Sequence, residues 1–550
     1  MSPSRGALAG PALATVAALA LVSCGSGDDG GSEPTGDAAS SAASISPSSP
    51  GASTPAADSA SPSPSPSPTR SYALSAAPRT IPAVREHTAA RGPGWKPTSS
   101  GAVVVADGSG ALADEAKLLA KELRLRYRGE AAARSGDVEL SLDKGAKTGS
   151  ESYTLTARDG RVTISGPDEA GVFWGTRTLK QAVAADGTFP EGVVNDRPDR
   201  PQRGFNLDIA RKPYSVDWIE DRLREMADLK MNQFGLHFSD DQAFRIESRS
   251  HPEVVSPDHL SQAQVKQILA LAKSLHIEVV PEIDSPGHLG AVLRAHPDLQ
   301  LHSVSGTASK GSLDISKPGA AKLIDELLDE FSGLFGGKFW HLGADEYQAL
   351  TVPDPGASYP QLLAAARQKY GDGATIEDLA TGWLNDRAAV VRPKGMTAKA
   401  WNDGLFSGGT VQADKRIEIE YWTGKEIGAR QPEAYLSEGR PMVNLNDEFL
   451  YYVLGEPNEF VYPTGKRIYE LWTPLVLRGT QPVPAKYSDQ ILGGRFAVWG
   501  DFPNAQTAAQ VAEGIRMPLK ATAQKLWVPG KPALSWAAFT GLAGEIDGRG

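Results

Sequence analysis

Phe339-Trp340-His341-Leu342-Gly343-Ala344-Asp345-Glu346-Tyr347 decides how this chain is read. Phe339 and Trp340 enter it as an apolar, strand-like run, Gly343 and Ala344 clear space, and two adjacent carboxylates follow. Side chains alternate along a strand, so Asp345 and Glu346 cannot share a face in its middle. At a strand end, where the pleat relaxes, both can reach one pocket and perturb each other's protonation. The competing reading is a helix start, with the acidic pair complementing the helix dipole. The neighbouring segments decide between the two.

Strand-like and helix-like segments alternate on both sides of this stretch. Phe205–Ile209 precedes helical Val216–Lys230, and Phe234–Phe238 precedes Gln262–Leu275. Ile277–Ile283, Phe339–Leu342, Thr397–Trp401, Ile417–Trp422, Pro441–Leu445 and Arg495–Trp499 supply further strands, and Ala505–Ala523 is a closing helix. Eight such strands predict an α/β fold with a (β/α)8 TIM barrel over 198–550, its chemistry at the C-terminal strand ends. A doubly wound sheet would show a Gly-rich phosphate turn after its first strand, and the sequence has none.

Before the barrel, 72–197 predicts a small α+β domain. Val103-Val104-Val105, Val138–Leu142, Tyr153–Thr156 and Val162–Ile164 read as strands, and Leu112 to Tyr127 and Gly171–Ala184 read as helices. Residues 25–71 are rich in Ser, Pro, Gly and Ala and too poor in apolar side chains to bury a core, which predicts a disordered linker. Residues 1–24 read as a secretory signal whose close, Leu21-Val22-Ser23-Cys24, resembles a bacterial lipobox, predicting lipidation at Cys24 and a cell-surface location. Cys24 is the single cysteine of the sequence, which excludes intrachain disulfides and multi-thiolate metal sites. The net charge of −10 argues against nucleic acid as a partner and is neutral toward a glycan.

The predicted strand ends carry polar and aromatic groups: Arg203 and Asp208; His237 and Asp240-Asp241; Glu282, Asp284 and His288; Asp345-Glu346; Trp401-Asn402-Asp403; Tyr421-Trp422; Trp499-Gly500-Asp501. Tryptophan faces stack on the C–H patches of a pyranose while carboxylates and arginine bond its hydroxyls. Trp401 and Trp422 taken singly are more often core residues than ligand plates, and His237 on an apolar strand is more often a satisfied core histidine. A metal reading from His237, Asp240 and Asp345 lacks compact ligand spacing, so no metal or cofactor is expected.

These residues resemble glycoside hydrolase family 20, the β-N-acetylhexosaminidases, from near Tyr72 to about Trp527. Arg203-Gly204-x-x-Leu207-Asp208-x-x-Arg211, Met231-Asn232-x-x-x-Leu236-His237-x-x-Asp240-Asp241-Gln242 and Pro281-Glu282-Ile283-Asp284-x-Pro286-Gly287-His288 look like its first three strands. His341-Leu342-Gly343-Ala344-Asp345-Glu346 matches His-x-Gly-Gly-Asp-Glu, with Ala344 in place of the second glycine. The resemblance implies an exo-acting, retaining hydrolase in which the substrate's acetamido oxygen is the nucleophile, an exception to the two-carboxylate scheme. It implies Glu346 as general acid and base, Asp345 orienting the acetamido N–H, and Tyr451 bonding the acetamido carbonyl. Arg203, Asp240 and Asp501 are then set against the sugar, with His288 beside the acid, Trp401, Trp422 and Trp499 as walls, and Glu282 and His237 behind. Two departures concern the terminal sugar. The Asp of the family's Tyr-x-Asp is Val453 here, and its Trp-x-Glu is Trp499-Gly500-Asp501. Asn444-Leu445-Asn446 with Leu450–Val453 looks more like the branch of dispersin-like glucosaminidases and lacto-N-biosidases.

Overall fold

The computed structural model describes residues 71–425 and 429–548. The signal, the lipobox with Cys24 and nearly all of the proposed linker therefore lie outside the described residues. Among the described residues no helix is long and apolar enough to cross a membrane.

The N-terminal domain is a seven-stranded mixed sheet. Its order is Glu86–Ala89, Gly192–Asp196, Tyr153–Arg158, Arg161–Gly166, Val138–Leu142, Ala102–Val105, Arg126–Glu130. Its main helix, Glu169–Asp186, starts where Asp168 accepts from Gly171 N and stops at left-handed Gly187. The other helix is shorter than its leucine periodicity predicts. It spans Ala113–Glu122, because Arg124 turns left-handed (φ 57°), and the chain re-enters the sheet at Arg126 with Leu125 only partly buried.

The second domain is a closed parallel barrel. Its strands are Gln202–Asp208, Gln233–His237, Glu278–Glu282, Phe339–His341, Thr397–Trp401, Glu418–Tyr421, Met442–Asn444 and Ile491–Trp499, numbered one to eight below. Strand eight pairs with strand one along Gly493–Val498, and its first residues close the ring against Met442–Asn444. At nine residues it outruns strand seven, and its far half is covered by an extra parallel strand, Tyr451–Val453. That insert was not evident in the sequence, and it is what carries Tyr451 to the cleft.

The domains share a buried junction. Lys230 Nζ lies 3.2 Å from Asp196 and donates to Tyr153 Oη at 2.9 Å, while Trp527 Nε1 donates to Asp196 Oδ1 at 3.0 Å. Helix Trp536–Gly548 packs against helix Glu169–Asp186 of the first domain.

Candidate active site

Strand four ends at His341, and the backbone then turns left-handed at Gly343 (φ 71°), Ala344 (φ 84°) and Glu346 (φ 47°). This turn resolves the alternation problem: it breaks the pleat, so Asp345 and Glu346 both line the same cleft. A Cβ on Gly343 would lie 1.5 Å from Asp284 Oδ1, so only glycine lets strand three's carboxylate approach there. Asp284 Oδ1 accepts from Ala344 N at 3.0 Å, and Asp403 Oδ2 accepts from Glu346 N at 3.0 Å. The catalytic turn is thus gripped by carboxylates from strands three and five.

Behind the acidic pair runs a buried chain of alternating histidines and carboxylates. Glu282 accepts from Trp401 Nε1 at 2.8 Å and faces His341 Nδ1 at 3.1 Å and His237 Nδ1 at 3.0 Å. His237 Nε2 reaches Asp240 Oδ2 at 2.8 Å, and Asp240 Oδ1 lies 3.4 Å from His288 Nδ1. His288 Nε2 lies 3.3 Å from Glu346 Oε2 and 3.6 Å from Asp345 Oδ2. Burial opposes charge on the imidazoles, but the surrounding carboxylates outweigh it. Glu282 and Asp240 push His237 up to about 10, and Asp240 and Asp345 hold His288 well above its usual range.

The acidic groups diverge in character. Hydrogen bonding to His288 lowers Glu346, so it stays ionised below the usual range. Burial raises Asp345, against the opposing charge of His288. Burial and Asp345 together push Asp284 well up and Asp403 to about 8, so these two remain neutral near Asp345. Asp284 and Asp345 share a side-chain hydrogen bond, which adds to the rise of Asp284 and offsets part of that of Asp345.

Aromatic rings wall the cleft. Trp422 and Tyr451 stack with centroids 5.7 Å apart and planes 6° apart, and Trp499 lies 5.7 Å from Tyr451 and 5.8 Å from Trp401. Trp422 Nε1 donates to Asp403 Oδ1 at 2.9 Å. Val453 and Asp501 reach the same cleft, whose volume of about 380 Å³ lies in the range of small-ligand pockets.

Glu346, Asp345, Tyr451, Asp240, His288, Trp401, Trp422, Trp499, Asp501 and His237 all line this cleft, and Glu282 stands behind it. Arg203 does not. It lies near the start of strand one, 1% exposed, where its guanidinium bonds Glu151 of the first domain at 2.8 Å and sits over Trp174 and Trp527. The arginine in the cleft is Arg211, just past the strand's C-terminal end, bonded to Asp208 at 3.0 Å and Asp240 at 2.8 Å and lying over the Trp499 ring. The motif contained both arginines, and the rule that barrel chemistry sits at C-terminal strand ends selects Arg211. Asp284 and Asp403 were visible as strand-end carboxylates, but nothing local marked them as the clamps of the catalytic turn.

A parallel barrel whose C-terminal mouth holds paired carboxylates inside a tryptophan cage is that of a glycoside hydrolase. The chain belongs to glycosyl hydrolase family 20. The model of that family's catalytic domain matches residues 201–529, and that of its domain 2 matches residues 77–197. Over 479 residues the chain is 31% identical to a lacto-N-biosidase of Bifidobacterium bifidum, covering 86% of this chain and 41% of that one. Over 349 residues it is 29% identical to a beta-hexosaminidase of Porphyromonas gingivalis, covering 57% and 44%. The chain thus spans less than half the length of these two relatives. Among solved structures, an exo beta-N-acetylglucosaminidase from Vibrio harveyi in complex with N-acetylglucosamine superposes with a TM-score of 0.70 at 20% identity, covering 89% of this chain and 80% of that one. A Streptomyces plicatus beta-hexosaminidase mutant in complex with GlcNAc does so with 0.68 at 22%, covering 87% and 97%. At these identities the likeness establishes the fold.

Proposed function

We propose that this hydrolase releases terminal β-linked N-acetylhexosamine units by substrate-assisted catalysis. The convergence of Asp345, Glu346 and Tyr451 in one tryptophan-walled cleft carries the reading. An acetamido group entering the cage between Trp401, Trp422 and Trp499 meets Asp345 as an acceptor for its N–H. With its N–H held by Asp345 and its carbonyl by Tyr451, the acetamido group is aimed at the anomeric carbon. Its oxygen attacks there, forming a cyclic oxazolinium whose positive charge Asp345 opposes.

Glu346, with its side chain 42% exposed at the cleft's opening, protonates the departing oxygen and later takes a proton from the incoming water. His288 favours the ionised form of Glu346, which suits the second step. Acid catalysis in the first step then requires that bound substrate weaken the His288 contact or desolvate the carboxylate. Arg211 and Asp240 hold hydroxyls of the terminal sugar.

A second reading, release of a disaccharide in the manner of a lacto-N-biosidase, is favoured by Val453. An apolar side chain stands where many family members place a carboxylate against the terminal sugar, which removes the group that would hold that sugar's free hydroxyls, as a sugar substituted there requires. A product profile of the full chain on chitobiose, β-1,6-linked poly-GlcNAc and lacto-N-tetraose tests both. Monosaccharide alone supports the first, lacto-N-biose the second, and no product from any of the three overturns both. We also propose that the protein is tethered at the cell surface through Cys24, on the strength of the lipobox-like Leu21–Cys24; a lipid-modified form persisting in Cys24→Ser refutes it.

A further inference from the structure

Away from the catalytic cleft, the loop after strand two meets the end of the short helix that follows His288. His251 and Glu253 come from the loop, and His296 caps helix Gly290–Ala295. One ligand atom from each of the three residues lies within 4.8 Å of the others. His251 Nδ1 is 2.8 Å from Glu253 Oε1, and His296 Nε2 is 3.1 Å from that same oxygen. Tetrahedral zinc with bonds of about 2.0–2.1 Å separates neighbouring donor atoms by about 3.3 Å, so the two contacts to Glu253 need to open by about half an ångström or less, and the third edge lies within 4.8 Å.

The other face of His251 strengthens the case. Its Nε2 lies 3.2 Å from Glu326 Oε2, on helix Pro318–Phe335. With the proton of a neutral imidazole on Nε2, directed at Glu326, the Nδ1 lone pair faces the Glu253 oxygen. Two acceptors at 2.8 Å require a proton or a cation between them. A carboxylate behind a histidine whose other nitrogen is aimed at an anionic oxygen is the arrangement that fixes the tautomer of a zinc-bound histidine and raises its basicity. The loop is also held in place without a metal: Glu330 accepts from Arg249 N at 2.7 Å, Ser250 N at 3.0 Å and Ser248 Oγ at 2.7 Å. Side-chain exposures of 13%, 44% and 25% for His251, Glu253 and His296 leave a path for an ion to enter.

We propose that His251, Glu253 and His296 form a zinc site, with Glu326 backing His251. Two imidazoles and a carboxylate suit zinc rather than magnesium or calcium, which take oxygen ligands. The ion would fasten the loop that follows Asp240 to the helix that follows His288, joining two cleft-bearing segments from behind. A second trio, Asp284, His288 and Asp345, is close enough to bind an ion but is a poor competitor, because Asp240 and Asp345 hold His288 well above its usual range and the Arg211 guanidinium lies 3.5 Å from its Nδ1.

The test uses the full chain, stripped with a chelator and then dialysed against zinc. The expected result is one zinc retained per chain, an X-ray absorption edge showing two imidazole ligands, and a melting temperature that rises with added zinc. His251→Ala and His296→Ala each weaken zinc binding at least tenfold and leave hydrolysis in the absence of zinc unchanged. Glu326→Gln weakens it by about 10- to 100-fold, as loss of a backing carboxylate does. Zinc binding that survives both histidine variants, or that is lost in Asp345→Asn instead, overturns the proposal. So does an absorption edge with fewer than two imidazoles, a reading on the wild-type chain that holds even if a variant fails to fold.

Discussion

Ala344 and Gly404 are fitted to one another across the catalytic turn. A Cβ on Gly404 would lie 2.3 Å from Ala344 O and 2.6 Å from Ala344 Cβ, so the methyl at 344 is tolerated only because position 404 has none. Ala344 itself adopts φ 84°, where an L-residue is strained by about 1–2 kcal/mol. Replacing it with glycine relieves that strain but adds about 0.4–1 kcal/mol of chain entropy to the unfolded state. Ala344→Gly should therefore raise stability by up to about 1.6 kcal/mol in urea unfolding. Gly404→Ala should lower both stability and turnover, and an unchanged unfolding midpoint in Gly404→Ala would contradict the fit.

Glu346→Gln keeps the size of the side chain and removes the proton it must transfer. Turnover on an unactivated oligosaccharide should fall by about 10²–10⁴. The fall should be smaller on a glycoside whose leaving group needs no protonation. Equal losses on the two substrates would assign Glu346 some other role.

Two arginines of one motif should fail in different ways. Arg211→Lys loses fork geometry toward Asp208, Asp240 and the sugar, and should lower kcat/KM by about 10- to 100-fold, the loss of one or two charged hydrogen bonds, while the fold holds. Arg203→Met leaves Glu151 without its buried partner and should cost roughly 3 kcal/mol of stability with little change in KM. Denaturation curves and steady-state kinetics on both variants separate the two roles.

His237 links the cleft to stability. Its folded pKa of about 10 lies above its unfolded value of about 6.5, so the folded state binds the proton more tightly. Its contribution is fully present below pH 6.5 and is lost as pH rises through about 10. Unfolding free energy should therefore fall more steeply between pH 7 and 10 in the wild-type chain than in His237→Gln. Parallel slopes would show that the histidine is neutral in the folded protein.

Every barrel strand overlaps a segment that the sequence marks by its apolar runs, because parallel strands buried on both faces have few other compositions open to them. The cleft was legible for a related reason: strand-end residues freed from the core, such as Trp499 and Asp345, stand out against it. What escaped was set by partners distant in the chain. Asp403 holds Glu346 N from 57 residues away, and Tyr451 takes its place because strand eight is longer than strand seven. Arg203 was misplaced because a motif names residues without saying which end of the strand faces the pocket. The helix end at Arg124 depended on a single left-handed residue, which leucine spacing does not report.

The junction of Lys230, Asp196, Tyr153 and Trp527 bears on how the enzyme can be handled. Lys230 and Asp196 have fully buried side chains and come from different domains, so parting the domains breaks the pair and bares the surface packed around it to water. Trp527, at the end of the barrel's last helix, would lose the acceptor for its indole N–H in the same event. The first domain is therefore a structural flank of the barrel rather than a detachable module. A barrel expressed without the first domain should unfold at a lower denaturant concentration than the full chain, since it lacks these junction contacts.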